Sequence, residues 1–278
     1  MQIKYSFSYW GSEHLAPNQF IDAIVAQGFE GAELFLNDAT ITDEFLLAIE
    51  NIRKQHPDFY FITLQLAFPK ENTVAAHIQA MEENFQKLAA LNPLFINSHT
   101  GRDYFSFDDN SRIIDATMNF AAKNGIRILH ETHRGRFSFH AASLIPYLDR
   151  FPQMELVGDF SHFSTVSESM LENQQQIIER IMPHVSHIHA RVGFEQGPQV
   201  NNPQAPEWQE HLDKFVHWWQ QIINLKKQAG QSLFTITPEF GPQPYMPTAP
   251  YTQQPLSSQW ENNVFMKEYL KKAFSHLN

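Results

Sequence analysis

Short apolar or alternating runs recur along the whole chain. They are rich in Ile, Val, Phe and Thr, which is typical of strands that are buried on both faces of a parallel sheet. Eight runs of this kind predict eight strands, at residues 3–10, 29–36, 59–67, 94–99, 126–132, 155–160, 184–192 and 233–240.

Stretches with helical spacing separate many of these runs. In the first such stretch, Phe20, Ile21 and Ile24 fall on one face of a helix. Proline or glycine marks several of the joints between the two kinds of segment. The predicted helices cover residues 17–27, 73–91, 110–123, 140–149, 170–182, 209–227 and 262–275.

The alternation of strand and helix predicts the fold class. Eight strands separated by helices are the pattern of a closed (β/α)8 TIM barrel, here a single domain covering residues 1–278. A doubly wound open sheet is the alternative, but it usually has fewer strands, and no glycine-rich turn follows the first strand. The pattern therefore favours the barrel.

Two connections are longer than a barrel requires. They cover residues 193–208, after the seventh predicted strand, and residues 241–260, after the eighth. The alternative interpretation is a linker between domains, but the last predicted helix follows the second loop at once. Both loops leave the C-terminal mouth, where barrel enzymes keep their active sites, so we expect them to form walls of a site.

Composition narrows the class of protein. Of the 278 residues 42% are hydrophobic and 18% charged, which is enough for a packed core. The net charge of -10 argues against a nucleic-acid partner. No apolar run approaches the ~20 residues that cross a membrane. Cysteine is absent, and the N-terminal residues lack a signal-peptide pattern, so we expect a cytoplasmic protein.

Polar side chains collect at the C-terminal ends of the later strands. A barrel interior is filled by apolar side chains, so ionisable groups on its strands need a partner. Because all strand ends meet at one mouth, we expect these groups to lie close together. They are His99 at the end of the fourth strand and Arg102 after it, Glu131, His133 and Arg134 at the fifth, Asp159 and His162 at the sixth, His187, His189 and Arg191 on the seventh, and Glu239 on the eighth.

The carboxylates among these residues predict a metal site. Three carboxylates at one mouth repel each other unless a cation lies between them. Carboxylates with one imidazole suit Zn²⁺, Mn²⁺ or Mg²⁺. The predicted ligands are Glu131, Asp159, His189 and Glu239. His187 faces the same side of its strand as His189 and is the alternative histidine; His189 is nearer the mouth, which leaves His187 a buried supporting role or a contact with substrate.

The ordered set resembles the xylose-isomerase-like TIM barrels, the family of sugar isomerases and epimerases that also includes endonuclease IV. The resemblance covers nearly the whole chain and rests on Glu131, the Asp159-x-x-His162 motif, His189 and Glu239. It implies that the two glutamates, Asp159 and His189 bind a divalent metal. It also implies that His162 helps to bind substrate or a further metal.

Three departures from the family distinguish this chain. The endonuclease branch has an additional Asp-x-His pair after the seventh strand, where this chain reads VNNPQAP, and Gln65 stands where that branch would have a histidine. A nuclease is therefore not expected. Related epimerases carry an arginine several residues after the histidine ligand, whereas Arg191 follows His189 by two positions.

The predicted reaction is sugar or sugar-phosphate isomerisation or epimerisation. A metal that holds two adjacent oxygens acidifies the C–H bond between them and stabilises an enediolate. Glu131 and Glu239, on opposite sides of the substrate, would exchange the proton, and His162 would hold a substrate oxygen. The candidate substrate contacts are His99, Arg102, His133, Arg134, His187 and Arg191, and the arginines allow an anionic group on the substrate.

Several alternatives remain at this point. A metal-dependent dehydratase or lyase acting on a keto-polyol or cyclic keto acid needs the same metal and base. A sugar-binding barrel without activity is an alternative of another class. The protein could also form a homo-oligomer. Aromatic side chains could line the sugar site or only pack the barrel rim: Trp10, Phe35, Phe163, Phe194 and Tyr245.

Overall fold

The structure, a computed structural model, describes residues 1–277, so the last residue of the predicted 1–278 domain lies outside the described residues. Its centre is a closed barrel of parallel strands in which each strand pairs with its neighbours in chain order. Pairing of the first strand with the last closes the barrel. The strands are β1 (Gln2–Ser8), β2 (Gly31–Leu34), β3 (Tyr60–Gln65), β4 (Ile96–Ser98), β5 (Ile128–Glu131), β6 (Leu156–Gly158), β7 (Val185–Ala190) and β8 (Leu233–Pro238).

Helices surround the barrel and follow the strands as predicted for a (β/α)8 fold. Side chains that accept a hydrogen bond from the first helical turn begin several of them, as Asp38 does from the amide of Ile41. The helices are α1 (Pro17–Ala26), α2 (Ala39–Arg53), α3 (Val74–Ala89), α4 (Phe107–Asn124), α5 (Ala141–Arg150), α6 (Ser161–Ser167), α7 (Gln175–Ile181), α8 (Gln209–Gln228) and α9 (Gln259–Ala273).

Two differences from the predicted helices are found. The pattern does not single out α2 or the short α6. The helix predicted at 170–182 begins late, because Leu171 has a left-handed backbone (φ 60°) and a 3-10 turn covers Glu172–Gln174 before α7. Left-handed backbone at a non-glycine residue interrupts a right-handed helix, so the apolar spacing extended further than the helix itself.

The core fills the layer between the strands and the helices. Trp218 and Trp219 of α8 are fully buried there, and Trp218 packs edge-on against Phe160. A smaller apolar cluster of Tyr60, Ile62, Phe95, Leu129 and Val157 includes Phe95, whose ring lies 5.2 Å from that of His187. No helix within residues 1–277 has an apolar stretch long enough to cross a membrane.

Candidate metal and active site

Four predicted ligands converge at the C-terminal mouth. Glu131 ends β5, Asp159 follows β6, His189 lies on β7 and Glu239 follows β8. One ligand atom from each of the four lies within 4.8 Å of the others. Parallel strands that close into a barrel bring their carboxyl ends together, which explains how residues over a hundred positions apart form one group.

Glu33 of β2 fixes the orientation of the His189 ring. The Nε2 of His189 lies 3.1 and 3.0 Å from the two carboxylate oxygens of Glu33, and both side chains are buried. Burial opposes ionisation of Glu33, but the neighbouring His189 outweighs it and lowers the pKa of Glu33 to about 2. A carboxylate that accepts from Nε2–H leaves Nδ1 as the nitrogen that faces the mouth, an arrangement common behind metal-binding histidines.

The atoms on the mouth side of His189 fit a cation. Its Nδ1 lies 2.9 Å from Oε2 of Glu239 and 3.7 Å from Oε1 of Glu131. The orientation of Nδ1 and of the Glu239 oxygen does not form a hydrogen bond, so both atoms are buried without a hydrogen-bond partner among residues 1–277. Buried polar atoms left in this way are uncommon. Two carboxylates and an imidazole nitrogen around one point suit a divalent metal ion.

Charge at this cluster shifts the protonation of its members. Burial opposes the charged form of His189, but Glu239, Glu33 and Glu131 hold the pKa of His189 well above its usual value. Burial raises the pKa of Glu239. Burial also opposes ionisation of Glu131, yet His99 and His189 hold the pKa of Glu131 well below its usual value. Without a metal, the carboxylates are therefore balanced partly by an imidazolium.

Glu131 is held by residues of β4 and the loop after it. Asn97 donates to Oε2 of Glu131 (2.7 Å) and to Oε1 of Glu33 (3.1 Å), so one amide bridges the two carboxylates. The Nε2 of His99 lies 3.0 Å from the same Oε2 of Glu131. These contacts fix the carboxylate and leave its other oxygen towards His189.

Arg191 enters the cluster from the end of β7. Its guanidinium contacts Oδ2 of Asp159 closely and lies 3.3 Å from Oε2 of Glu239. Burial opposes its charge, but Asp159 and Glu239 raise the pKa of Arg191, so it remains a cation. The other oxygen of Asp159 accepts from the backbone amide (3.0 Å) and the hydroxyl (2.5 Å) of Ser161.

The rings of His133 and His162 lie against each other beside the cluster, with their planes tilted by 52°. Their ring centroids are 4.0 Å apart, and the ring of His99 lies 4.4 Å from that of His133. Desolvation lowers the pKa of His133 to about 3 and holds the pKa of His162 well below its usual value, so both rings are neutral. The Nε2 of His162 lies 3.2 Å from Arg191, and Oδ2 of Asp159 is 3.5 Å away.

A cavity of about 600 Å³ opens above the cluster. Its polar lining residues are Glu33, His99, Glu131, His133, Arg191 and Glu239, together with Ser8, Glu13 and Asn37. Its apolar lining comes mainly from β1–β3 and the segments after them: Tyr9, Trp10, Leu34, Phe35, Ile41, Leu64 and Leu66, with Tyr245 from the loop after β8. The side of the mouth formed by β1–β3 is thus mainly apolar, with Glu13 and Glu33 as its charged residues, while the segments at the ends of β5 and β7 contribute Glu131 and Arg191 on the other side.

The remaining predicted contacts lie outside the cavity lining. His187 is fully buried, and its two ring nitrogens lie 2.7 and 3.0 Å from the hydroxyls of Thr235 and Thr237. His187 therefore lies below the cluster and supports β8. Its ring does not line the cavity, so the geometry does not bring it into the predicted contact with substrate. His162 is also fully buried and does not line the cavity. Arg102 and Arg134 are half-buried at the rim, with Arg134 5.0 Å from the ring of Tyr245.

The two long loops have different roles. Tyr245 of the loop at 241–260 lines the cavity. The loop at 193–208 contributes no lining residue within the described chain but holds the other loop, because Gln199 bonds both backbone groups of Gly241. Of the predicted aromatic walls, Trp10, Phe35 and Tyr245 line the cavity, whereas Phe163 packs on Phe160 and Phe194 on Trp208.

Sequence reasoning missed Glu33 and Asn97. Both lie inside apolar runs, 29–36 and 94–99, rather than after them. A signal was present: a carboxylate inside an otherwise apolar strand requires a buried partner. The position of the Arg191 guanidinium between Asp159 and Glu239 had no comparable signal in the sequence.

No protein-family model matches the sequence, and no curated protein is similar to it in sequence. Solved structures are similar in fold. A xylose isomerase domain protein from Salmonella typhimurium LT2 matches over 100% of this chain and 99% of its own, with a TM-score of 0.61 and 14% identity. A D-psicose 3-epimerase, determined in the presence of D-fructose, matches over 97% and 99%, with a TM-score of 0.59 and 14% identity.

A probable 3-DHS dehydratase from Bacillus anthracis also has a similar fold. It covers 86% of this chain and 94% of its own, with a TM-score of 0.58 and 15% identity. These similarities confirm the predicted architecture: the chain has a (β/α)8 TIM-barrel fold like that of these proteins. At such identities they show the fold, and the chemistry has to be argued from the site.

Proposed function

We propose that this protein is a divalent-metal-dependent sugar isomerase or epimerase that transfers a proton beside a carbonyl group through an enediolate. The observation that carries the proposal is the placement of two carboxylates around one imidazole. Glu131 and Glu239 both line the cavity and approach Nδ1 of His189 from β5 and from the end of β8. A carboxylate on each side of a substrate suits epimerisation, in which one group removes the proton from one face of the carbon and the other returns a proton to the opposite face.

The side chains of this site have distinct roles in the proposal. Glu131, Asp159, His189 and Glu239 would hold the metal, with Glu33 orienting His189 from behind. Such an ion, Zn²⁺, Mn²⁺ or Mg²⁺, would polarise two adjacent substrate oxygens and acidify the C–H bond between them. Glu131 or Glu239 would remove that proton, and the other would return one. His99, which lines the cavity and is bonded to Glu131, is placed to meet a substrate oxygen.

The cavity favours an uncharged sugar over a sugar phosphate. Arg191 is the one arginine or lysine among the described lining residues, so a phosphate would meet a single cationic side chain here. A phosphate usually requires free cations or several backbone amides. The apolar side of the mouth, with Trp10 and Phe35, would instead cover the C–H face of a sugar.

A dehydratase acting on a cyclic keto acid or keto-polyol is the second candidate. The specific observation in its favour is the apolar wall from β1–β3, which can pack on a carbocycle as well as on a sugar. The same base would remove the proton, and a hydroxyl on the neighbouring carbon would leave as water. The two reactions differ in whether water is lost.

The test uses the purified full-length chain with added Mn²⁺ or Zn²⁺ in deuterated water. D-Fructose and D-psicose are the first probes, followed by other ketoses and aldoses, their phosphates, and cyclic keto acids. Proton NMR follows the loss of one C–H signal, and ultraviolet absorbance follows an unsaturated product. The control is the same protein after removal of metal by a chelator.

The outcomes separate the alternatives. Metal-dependent exchange of one C–H without loss of water supports the isomerase or epimerase. Formation of an unsaturated product supports the dehydratase. Saturable sugar binding without exchange of any C–H contradicts both reactions and supports a sugar-binding barrel.

A further inference from the structure

Arg191 lies where a cation should lie in the cluster. It follows β7 directly, two residues after His189, and its side chain turns inward and is buried. Its side chain is only 2% exposed, which is rare for arginine unless it is paired. The pairs are Asp159 and Glu239, two of the four predicted metal ligands.

The guanidinium and a metal ion would use the same oxygens. One oxygen of Asp159 is taken by Ser161, and Arg191 lies against the other, Oδ2. The oxygen of Glu239 nearest to Arg191, Oε2, is also the one that faces Nδ1 of His189. A metal ion that takes Asp159 Oδ2 and Glu239 Oε2 as ligands therefore approaches atoms that the guanidinium already contacts.

The charge of two buried carboxylates explains why a cationic side chain of the protein lies at this position. Asp159 is fully buried, and Glu239 is largely so. A buried carboxylate without a partner is strongly unfavourable, because its charge has lost its hydration. Arg191 supplies that partner when the metal is absent. A divalent ion bound to the same carboxylates would remove much of the need for it.

The guanidinium also has another group to contact. Its centre lies 4.6 Å from the ring of Tyr245, in cation–π geometry, and its Nη1 has no hydrogen-bond partner among residues 1–277. Tyr245 and Arg191 both line the cavity. A short movement along the face of the tyrosine ring would release the carboxylates while the charge stays stabilised.

We propose that the Arg191 guanidinium occupies part of the divalent-metal site and competes with the ion for Asp159 and Glu239, so that metal binding displaces it. The inference rests on the metal site of the proposed function. Its consequence is a metal that binds more weakly, and exchanges more readily, than the four ligands alone would allow. In the metal-bound protein, the displaced guanidinium would lie at the cavity surface beside the substrate.

The test measures the affinity of the protein for Mn²⁺ alone, from the free Mn²⁺ signal in electron paramagnetic resonance, with no substrate and no activity assay. Arg191→Met keeps the length of the side chain without its charge. We expect it to bind Mn²⁺ at least about tenfold more tightly than the wild type. The matched control is Arg134→Met, which removes a charge near Tyr245 but not from Asp159 or Glu239. It should change the affinity by less than about threefold.

A second variant separates competition from a general charge effect. Asp159→Asn removes one ligand and also the closest partner of Arg191. If the two cations compete at Asp159, this substitution weakens Mn²⁺ binding more in the Arg191→Met protein than in the wild type. Thermal melting verifies that each variant is folded. If Arg191→Met is not folded, Arg191→Gln, which keeps an amide donor for Asp159, replaces it.

The results distinguish this inference from the proposed function. The competition is overturned if the wild type and the folded Arg191 variant have equal Mn²⁺ affinity and lose equal affinity through Asp159→Asn. The metal site of the proposed function is then left intact. Absence of Mn²⁺ and Zn²⁺ binding in every variant overturns the metal site and the competition together. Tighter Mn²⁺ binding in Arg191→Met but not in Arg134→Met, with a larger loss from Asp159→Asn in the Arg191→Met protein than in the wild type, supports both.

Discussion

Glu33 and His189 are 156 positions apart in the chain, yet both carboxylate oxygens of Glu33 lie within 3.1 Å of Nε2 of His189. In the neutral ring that a metal would bind, this carboxylate keeps the proton on Nε2, and it turns Nδ1 towards Glu131 and Glu239. Glu33 is thus a positioning residue for the proposed ligand.

Substitution of Glu33 should weaken metal binding without removing a ligand. In Glu33→Gln the amide is a weaker acceptor and can present its NH₂ group to the ring, so the orientation of His189 is no longer fixed. We expect the affinity for Mn²⁺ to fall by about 10- to 100-fold, the usual effect of such a loss. Titration followed by electron paramagnetic resonance measures it. Glu13→Gln is the control, since Glu13 is an exposed cavity residue bonded to the amide of Gly11. An unchanged affinity in folded Glu33→Gln would contradict this role.

Glu131 and Glu239 should each be required for proton transfer. Glu131→Gln and Glu239→Gln keep the shape of the side chain but cannot accept a proton, so we expect the rate of C–H exchange to fall by about 10²- to 10⁴-fold. The measurement is deuterium incorporation at saturating Mn²⁺, which compensates for weaker metal binding. Glu13→Gln is again the matched control. Near-normal exchange in either folded variant would exclude that glutamate as an acid or base.

Gln199 should stabilise the loop that carries Tyr245. Its side-chain amide donates to the carbonyl of Gly241 (3.2 Å) and accepts from the amide of Gly241 (2.6 Å), and both residues are buried. In Gln199→Ala these backbone groups lose their partner, which should lower the free energy of unfolding by about 1–3 kcal/mol.

Urea unfolding measures this change, and hydrogen exchange of residues 241–258 shows whether the effect is local. We expect Gln199→Ala to accelerate hydrogen exchange in that segment more than in the barrel strands, relative to the wild type. Gln243→Ala is the control because Gln243 is exposed in the same loop and bonds only the side chain of Gln253. Equal exchange in the wild type and Gln199→Ala would show that the loop is held by other contacts.

His77 of α3 should make stability depend on pH. It is 2% exposed, and its Nε2 has no hydrogen-bond partner in the described part of the chain. Burial, with a smaller effect of Arg102, lowers the pKa of His77 from 6.5 to about 4. The folded protein thus keeps the ring neutral while the unfolded chain protonates it, so this stability is present above pH 6.5 and is lost as the pH falls towards 4.

His77→Gln should remove this part of the pH dependence, on the order of 2–3 kcal/mol between neutral pH and pH 4. Urea unfolding of wild type and variant at pH 7, 5.5 and 4.5 measures the difference between their slopes. Other buried histidines titrate in both proteins and cancel in the comparison. His217→Gln, at an exposed position of α8, is the control. Parallel slopes for the wild type and His77→Gln would show that His77 does not contribute.

The order of apolar runs by itself determined the architecture. Because both faces of a parallel barrel strand are covered, each strand reads as an apolar run, and the connections between them have helical period. The strand boundaries were less well determined by the sequence. In the run at 94–99, only the three residues Ile96–Ser98 form a strand. Helix α2 was missed, although Asp38 at its start is a typical capping residue.

The four proposed ligands could also be predicted from the sequence, because each is a polar residue at the end of an apolar strand and all strand ends of a barrel meet. Only the tertiary structure determined the contacts of Glu33 and Asn97 and the buried position of the Arg191 guanidinium. Glu33 and Asn97 lie within their strands, and which residues they meet depends on barrel closure, which brings β2, β4 and β7 around one axis. Arg191 was predicted on the seventh strand as a candidate substrate contact; packing between β6, β7 and β8 buried it against Asp159 and Glu239. Local pattern sets the direction of a side chain, but the charge it meets is set by elements far away in the chain.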